Sequence, residues 1–457
     1  MKKILLSATL CIFGYVSQAT HLMGGQMTSL NIGGLTYQVT LTAYRDTLGI
    51  PMYPTAMITY SDITGFYLQH VVNCSPPTNY GNGVEMYTYV DTVTFPVAGD
   101  YTMWWEDCCR NCALLNMTTP CGESFHLYNE LHADVNNSSP VFLNPPIPIA
   151  QEAVPFNYNP LPFDADGDSI AWVLDIPLGA GGINVVGYSL PPSDISMPFT
   201  MNQVTGEITF LPNTLGHFEV SVKVSEFRNG AKIGEIRRDM QIIVIPSLNK
   251  PAGINSSSNT FPFSGKQFLL NANAAFNVTV TAVELDNNPV SFTASGEPFI
   301  LNNNPASAVI TNGIGQASAT VSWTPDATQT RTNPYIFALR ISEEFGGSVF
   351  ANDVTFKLEV GGATGISDPA NAGELLHVYP NPSNGNFYVE LNSATQGTVQ
   401  ITVSNIMGQQ VSRQADVKVN EGTNIIYLNS MNLTAGQYFI TVESNGQQLG
   451  IQKIEVK

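Results

Sequence analysis

The sequence predicts an all-β protein made of tandem β-sandwiches, and three observations carry that prediction. Short stretches alternate apolar and polar residues with period two, the signature of half-buried strands. Turn-forming residues punctuate them: the 457 residues include 38 Gly and 29 Pro, with Asn, Ser and Thr abundant. Finally, residues 136–246 and 247–361 run through one order of elements, as two copies of a sandwich-sized unit would.

Hydrophobic residues make up 43% of the chain, enough for real cores, while charged residues reach only 12%. The formal net charge of −18 repels phosphate backbones and anionic lipid, so nucleic acid is not an expected partner. The same charge suits divalent cations.

The N-terminus reads MKKILLSATLCIFGYVSQA. Lys2 and Lys3 precede an apolar run from Ile4 to Val16, and Ser17-Gln18-Ala19 is a small-residue cleavage site, so residues 1–19 are expected to be a signal peptide cut between Ala19 and Thr20. Thr9-Leu10 before Cys11 lacks the small residues of a lipoprotein site. The apolar run is too short for a transmembrane helix, and no later stretch is long enough. Export makes Cys74, Cys108, Cys109, Cys112 and Cys121 disulfide candidates, with one thiol left over and the pairing open. Cys109, Cys112, Cys121 and His126 have zinc-like spacing, but export and the adjacent Cys108 favour disulfides.

Residues 20–135 form the expected N-terminal Cys-containing β domain. Leu35–Thr42 alternates after the turn Asn31-Ile32-Gly33-Gly34. Phe125–His132 alternates too and puts His126, Glu130 and His132 on one face, read as the solvated side of a strand rather than a metal face. Around Met103-Trp104-Trp105 the aromatic residues are expected either in the core or on a sugar-stacking surface.

In the duplicated part, FEVSVKVSEFRNG (218–230) matches YIFALRISEEFGG (335–347), pairing Phe218 with Tyr335, Glu226 with Glu343 and Gly230 with Gly347. ITFLPN (208–213) matches VSWTPD (321–326), and FDADGDSIAW (163–172) matches VELDNNPVSF (283–292). LNKPAGINSSSNT (248–260) is the expected joint. The DxDGDS loop and the late acidic-Gly hairpin resemble bacterial cadherin-like or Ig-like surface domains. The opening THLMGGQMTSLNIGGLTYQVTLTAYRD and the EDCCRN stretch resemble the start of large Bacteroidetes surface proteins.

The loop Asp164-Ala165-Asp166-Gly167-Asp168-Ser169 is the candidate metal site. Carboxylates at alternate positions of a tight loop converge, and Ca²⁺ takes several hard oxygens. Glu226 and Glu152 complete the shell in the reading that the cadherin-like resemblance implies; an ion-free acidic turn is the alternative. An EF-hand does not fit, because Ser169 stands where that loop needs Gly. The second copy, Glu284-Leu285-Asp286-Asn287-Asn288, has fewer charges and a weaker expected site.

Residues 362–374 show no apolar periodicity and read as a linker. Residues 375–457 then open with VYPNPSNGNFYVELN: Tyr379-Pro380 and Asn381-Pro382 hold the backbone extended, Gly385 follows in a turn, and Phe387, Val389 and Leu391 share a strand face. With Gly408, the Leu433-x2-Gly436-x-Tyr438 block and a closing strand from Lys453, this closely resembles the type A C-terminal sorting domain of the type IX secretion system. The resemblance implies a small β-sandwich recognised by secretion machinery at the outer membrane and removed after passage, with the cargo released or tied to surface polysaccharide.

Catalytic motifs are scarce. Gly167-Asp168-Ser169-Ile170 is similar to a GDSL-type nucleophile block, but no histidine has Asp three residues before it. G-x-S-x-G, H-E-x-x-H and P-loop patterns are absent. The expectation is an exported, non-catalytic surface protein for adhesion, ligand binding or surface-layer structure. Its sandwiches act as spacers behind a ligand-binding first domain. The alternative is an exported glycan or peptide hydrolase with its catalytic site in residues 20–135.

Overall fold

The computed structural model describes residues 22–134, 137–247, 249–254, 266–361, 376–379, 381, 383, 387–393, 396–405, 409–420, 422–428, 433–444 and 447–457. The signal segment, including Ala19 and Thr20, and the linker 362–374 lie outside them, as does most of the joint 248–260. The chain divides into two units, residues 1–362 and 363–457. Among the described residues the only helical elements are short 3₁₀ turns, so the all-β expectation holds.

The first sandwich grows from the hairpin Leu22–Gly33/Thr36–Asp46. Asn31 closes its turn, donating to the Gly34 carbonyl and accepting from the Gly33 amide, both at 2.9 Å. Thr78–Gly81 and Val84–Thr94 complete that layer. The opposing layer contains Thr55–Asp62, Tyr67–Asn73, Gly99–Cys108 and Ser124–Ala133. Alternate residues of each strand meet in a core that includes Leu41, Ile58, Met103 and Leu127, all fully buried. Tyr37, Tyr89 and Tyr101 bury their rings there and donate their hydroxyls to backbone carbonyls of Asp134, Tyr53 and Val97.

Two further cores follow, one of residues between Phe142 and Val244 and one between Ala252 and Val360. Their topology repeats. In the first, Ser169–Asp175 pairs with Gly216–Arg228, which pairs with Ala231–Ile245, which takes the short parallel strand Ile149–Gln151. In the second, Pro289–Gly296, Tyr335–Phe345, Ser348–Gly361 and Lys266–Asn271 repeat that order, with the last pair again parallel. The register matches too: Ile170 lies opposite Glu226, and Val290 opposite Glu343.

The sequence boundary at 135/136 is not a break in the sheet, which corrects the picture of separate spacers. Strand Ala231–Ile245 pairs along its free side with Ser124–Ala133 and then with Leu22–Gly33, joining both layers of the first sandwich into one 12-stranded sheet. Gly24 makes this approach feasible: its φ is +142°, and a Cβ there would lie 2.3 Å from the Asp239 carbonyl oxygen. Polar ties add the second repeat. Asp353 accepts from the Asn144 side chain and the Asn159 amide, at 2.8 and 2.9 Å, while Asn82 exchanges two hydrogen bonds with the Val349 backbone.

The C-terminal unit is a small sandwich of a three-stranded and a four-stranded sheet. Phe387, Val389, Leu391, Ile401, Ile440 and Ile454 fill its core.

Candidate metal centre

The loop 164–168 folds around its own first carboxylate. Asp164 Oδ1 accepts from the amides of Asp166 and Asp168 at 3.0 and 2.9 Å, and Gly167 supplies the positive φ of +85° that the turn needs. This leaves Asp164 Oδ2 buried and without a donor. Glu226, on strand Gly216–Arg228, is 0% exposed, and neither of its carboxylate oxygens has a protein donor. Asp164, Asp168 and Glu226 bring ligand oxygens within 4.8 Å of one another.

Gly234, opposite Glu226 in the ladder, forms one wall; a Cβ there would lie 2.4 Å from Glu226 Oε2. Burial pushes the Glu226 carboxyl up to about 9, with the charges of Asp164 and Asp168 adding to it. Burial likewise raises Asp164 to about 6. Asp168 is held low, chiefly by Arg228, whose guanidinium forks onto it at 2.9 and 2.6 Å. Arg228 also reaches Asp134 and Asn137, tying the loop to the end of the first sandwich.

Two expected ligands are elsewhere. Asp166 accepts from the Ser138 amide at 2.5 Å and is not in the cluster. Glu152 follows Ile149–Gln151 beside Ile245, at the opposite end of strand Ala231–Ile245 from Gly234, too far to contribute. The remaining donors are all carboxylate oxygens, which suit a hard cation such as Ca²⁺ better than zinc.

The second copy keeps the loop and fills the pocket with protein. Glu284 accepts from the amides of Asp286 and Asn288, as Asp164 does from its counterparts. Glu343, the equivalent of Glu226, accepts from the side chains of Asn249 and Asn288 and from the Ala252 amide. Asn288 occupies the position of Asp168, so an amide donor in one copy is a carboxylate in the other. That difference was readable from the aligned repeats; the roles of Gly234, Asn249 and Arg228 were not.

The cysteines resolve into Cys108–Cys109 and Cys112–Cys121, with Cys74 free. The zinc set is not gathered among the described residues: Cys109, Cys112 and Cys121 are in disulfides, and His126 Nδ1 faces Glu106 at 3.1 Å. Glu130 pairs with Lys232 and His132 with Asp100, so this strand face satisfies itself locally. Met103 and Trp105 are core, whereas Trp104 faces outward and is half-buried.

In the C-terminal unit, Asn381 works as a brace between the two ends of its motif. Its side chain donates to the Lys453 carbonyl at 3.0 Å and accepts from the Glu455 amide at 2.8 Å. Tyr438 is buried and donates to the Thr434 carbonyl at 2.9 Å, and Gly436 has a φ of +156°. Tyr379 ends the first strand, and Pro380, Pro382, Gly385 and Gly408 lie outside the described residues.

No curated protein matches this chain. Among solved structures it is similar to the N-terminal four Ig domains of Dscam1 isoform 8.4, at 11% identity over 94% of this chain and 98% of that one, with a TM-score of 0.18. It is also similar to the CupB2 chaperone of Pseudomonas aeruginosa, at 14% identity over 43% of this chain and all 100% of the other, again with a TM-score of 0.18. Scores this low carry no weight for function. Residues 377–457 match the family model described as Secretion system C-terminal sorting domain. The terminal sandwich braced by Asn381 is therefore a sorting domain, and the chain is a cargo protein that the type IX secretion system exports to the cell surface or beyond.

Proposed function

We propose that the cargo is a non-catalytic adhesion or ligand-binding protein of the cell exterior, with Ca²⁺ held by Asp164, Asp168 and Glu226. The observation that carries this reading is where the buried charges sit. Arg110, 0% exposed, lies between Glu219 and Asp239 at 2.9 and 2.8 Å; Arg340 lies on Asp353 at 2.8 Å. These groups join one sandwich to the next rather than line a cleft, which suits a body built to bear load and present a surface. Calcium would balance the carboxylate charge that Arg228 alone leaves over, while Gly234 keeps room for it. The test is to immobilise the purified protein, measure retention of surface polysaccharides and proteins, and assay the same panel for turnover. Retention without turnover supports the reading.

One observation favours the exported hydrolase instead. Asp91 accepts from both Tyr60 and His70, at 2.5 and 2.6 Å, an acid–histidine pairing of the kind that orients a general base. Turnover abolished by His70→Ala would establish that second reading over the first.

A further inference from the structure

The first sandwich keeps an exposed outward face on the sheet that joins it to the first repeat, toward the edge away from that junction. Tyr67–Asn73, Thr55–Asp62, Gly99–Cys108, Ser124–Ala133, Ala231–Ile245, Gly216–Arg228 and Ser169–Asp175 are consecutive neighbours in one sheet. On the outward side of Ala231–Ile245 and Gly216–Arg228, Glu235, Arg237, Asp239 and Ser221 are buried, so the continuous open face is that of the first four strands, roughly 14 Å wide at about 4.8 Å between strands. We propose that its outward side binds a neutral polysaccharide chain, with Trp104 as the stacking group; this rests on the binding reading above and names its ligand class.

Trp104 stands in a row with Thr59 and Tyr128, its register partners on the two adjoining strands. Those partners are 4% and 6% exposed, whereas Trp104 is only half-buried, so the indole is the proud group of the row. Trp172 and Trp323 donate their indole N–H groups to the carbonyls of Asn202 and Asn304. The Trp104 N–H has no acceptor among the described residues and is free for a ligand hydroxyl. Beside it, Met57 and Val71 face each other at 52% and 71% exposure and extend apolar surface to the sheet edge. Apolar patches flanked by Gln69, Thr102 and Glu130 match a pyranose, which has C–H faces and a hydroxyl rim.

Charge selects the class. The basic groups bordering this face are already neutralised: Lys232 by Glu130 and Glu235, Arg237 and Lys223 by Asp175. None is left to hold a phosphate, sulfate or uronate, and the chain's net charge of −18 opposes polyanions further.

The test uses the full chain in affinity gel electrophoresis against dextran, xylan, mannan and a soluble β-glucan, with alginate and heparin as polyanions. At least one neutral polysaccharide should bind. Trp104→Ala should weaken it at least tenfold and Trp104→Phe severalfold, while Val309→Ala on the second repeat should leave it unchanged. Thr102→Arg, which keeps the indole and blocks the face, should abolish binding with the fold intact by circular dichroism. Neutral-glycan binding unaffected by both Trp104→Ala and Thr102→Arg would overturn the face while leaving the binding reading standing. Binding of polyanions alone, or of no polysaccharide, would overturn the ligand class, and turnover of the panel would overturn the binding reading itself.

Discussion

Glu226 and Glu343 occupy one position in two copies of a fold and meet opposite surroundings. Glu343 receives donors from Asn249, Asn288 and the Ala252 amide; Glu226 receives none and faces Asp164 and Asp168 instead. A buried carboxylate without a donor is costly, so the two copies should respond differently to a cation. Millimolar Ca²⁺ should raise the Tm of the protein, by about 2.7 kcal/mol of stabilisation at a hundredfold excess over Kd. Glu226→Gln should abolish that response and Glu343→Gln should not. An unchanged Tm in the wild type would remove calcium from the account.

Gly234 tests the same pocket from its other wall. Gly234→Ala places a methyl against Glu226 Oε2 and the Glu130 carbonyl. Stability should fall by about 1–3 kcal/mol through overpacking, and the calcium shift should vanish with it. Denaturant titrations with and without Ca²⁺ read both effects.

Glu207 provides a pH dependence. It is 3% exposed, and burial pushes its carboxyl from 4.5 to about 7, with Asp353 adding to the rise and Thr355 opposing it. A folded-state value above the unfolded one means that the fold prefers the protonated form. Its contribution is complete below pH 4.5 and is lost as pH rises through about 7. Glu207→Gln should flatten Tm against pH across that window. A mutant profile parallel to wild type would refute the assignment.

Arg110 holds the cysteine-bearing loop to the repeat. Arg110→Met strands Glu219 and Asp239 together in the core, where burial already pushes the Glu219 carboxyl well up. The loss should be about 3–5 kcal/mol in equilibrium unfolding, because removing one partner exposes the others to an uncompensated burial penalty.

The sorting domain has a fold-level and a cellular test. Asn381→Ala removes two hydrogen bonds between the motif's ends and should cost the isolated terminal sandwich about 1–3 kcal/mol. Deleting residues 375–457 should leave the cargo in the periplasm, as cell fractionation would show.

How much could be read beforehand differs from site to site. The acidic loop is visible as spaced Asp residues, and Glu226 enters the site through the cadherin-like resemblance. Asp166 fits the site by spacing, but spacing alone cannot tell which carboxylate turns back to a backbone amide; the Ser138 amide captures it. The alternation in Met103-Trp104-Trp105 fixed that Trp104 and Trp105 face opposite ways. Which one faces the core is a matter of register with Thr59 and Tyr128.

Local chemistry, then, was enough for the strands, the duplicated order, the export address and the acid-rich loop, since each is written in period, turn residues or a contiguous motif. Partners distant in the chain settled the rest. Gly24 against Asp239, Arg110 between Glu219 and Asp239, and Asp353 under Asn144 join residues more than a hundred apart, turning separate sandwiches into one unit. Such contacts follow from which strand edges meet and in what register, and a linear pattern of apolar and polar residues leaves many meetings equally plausible.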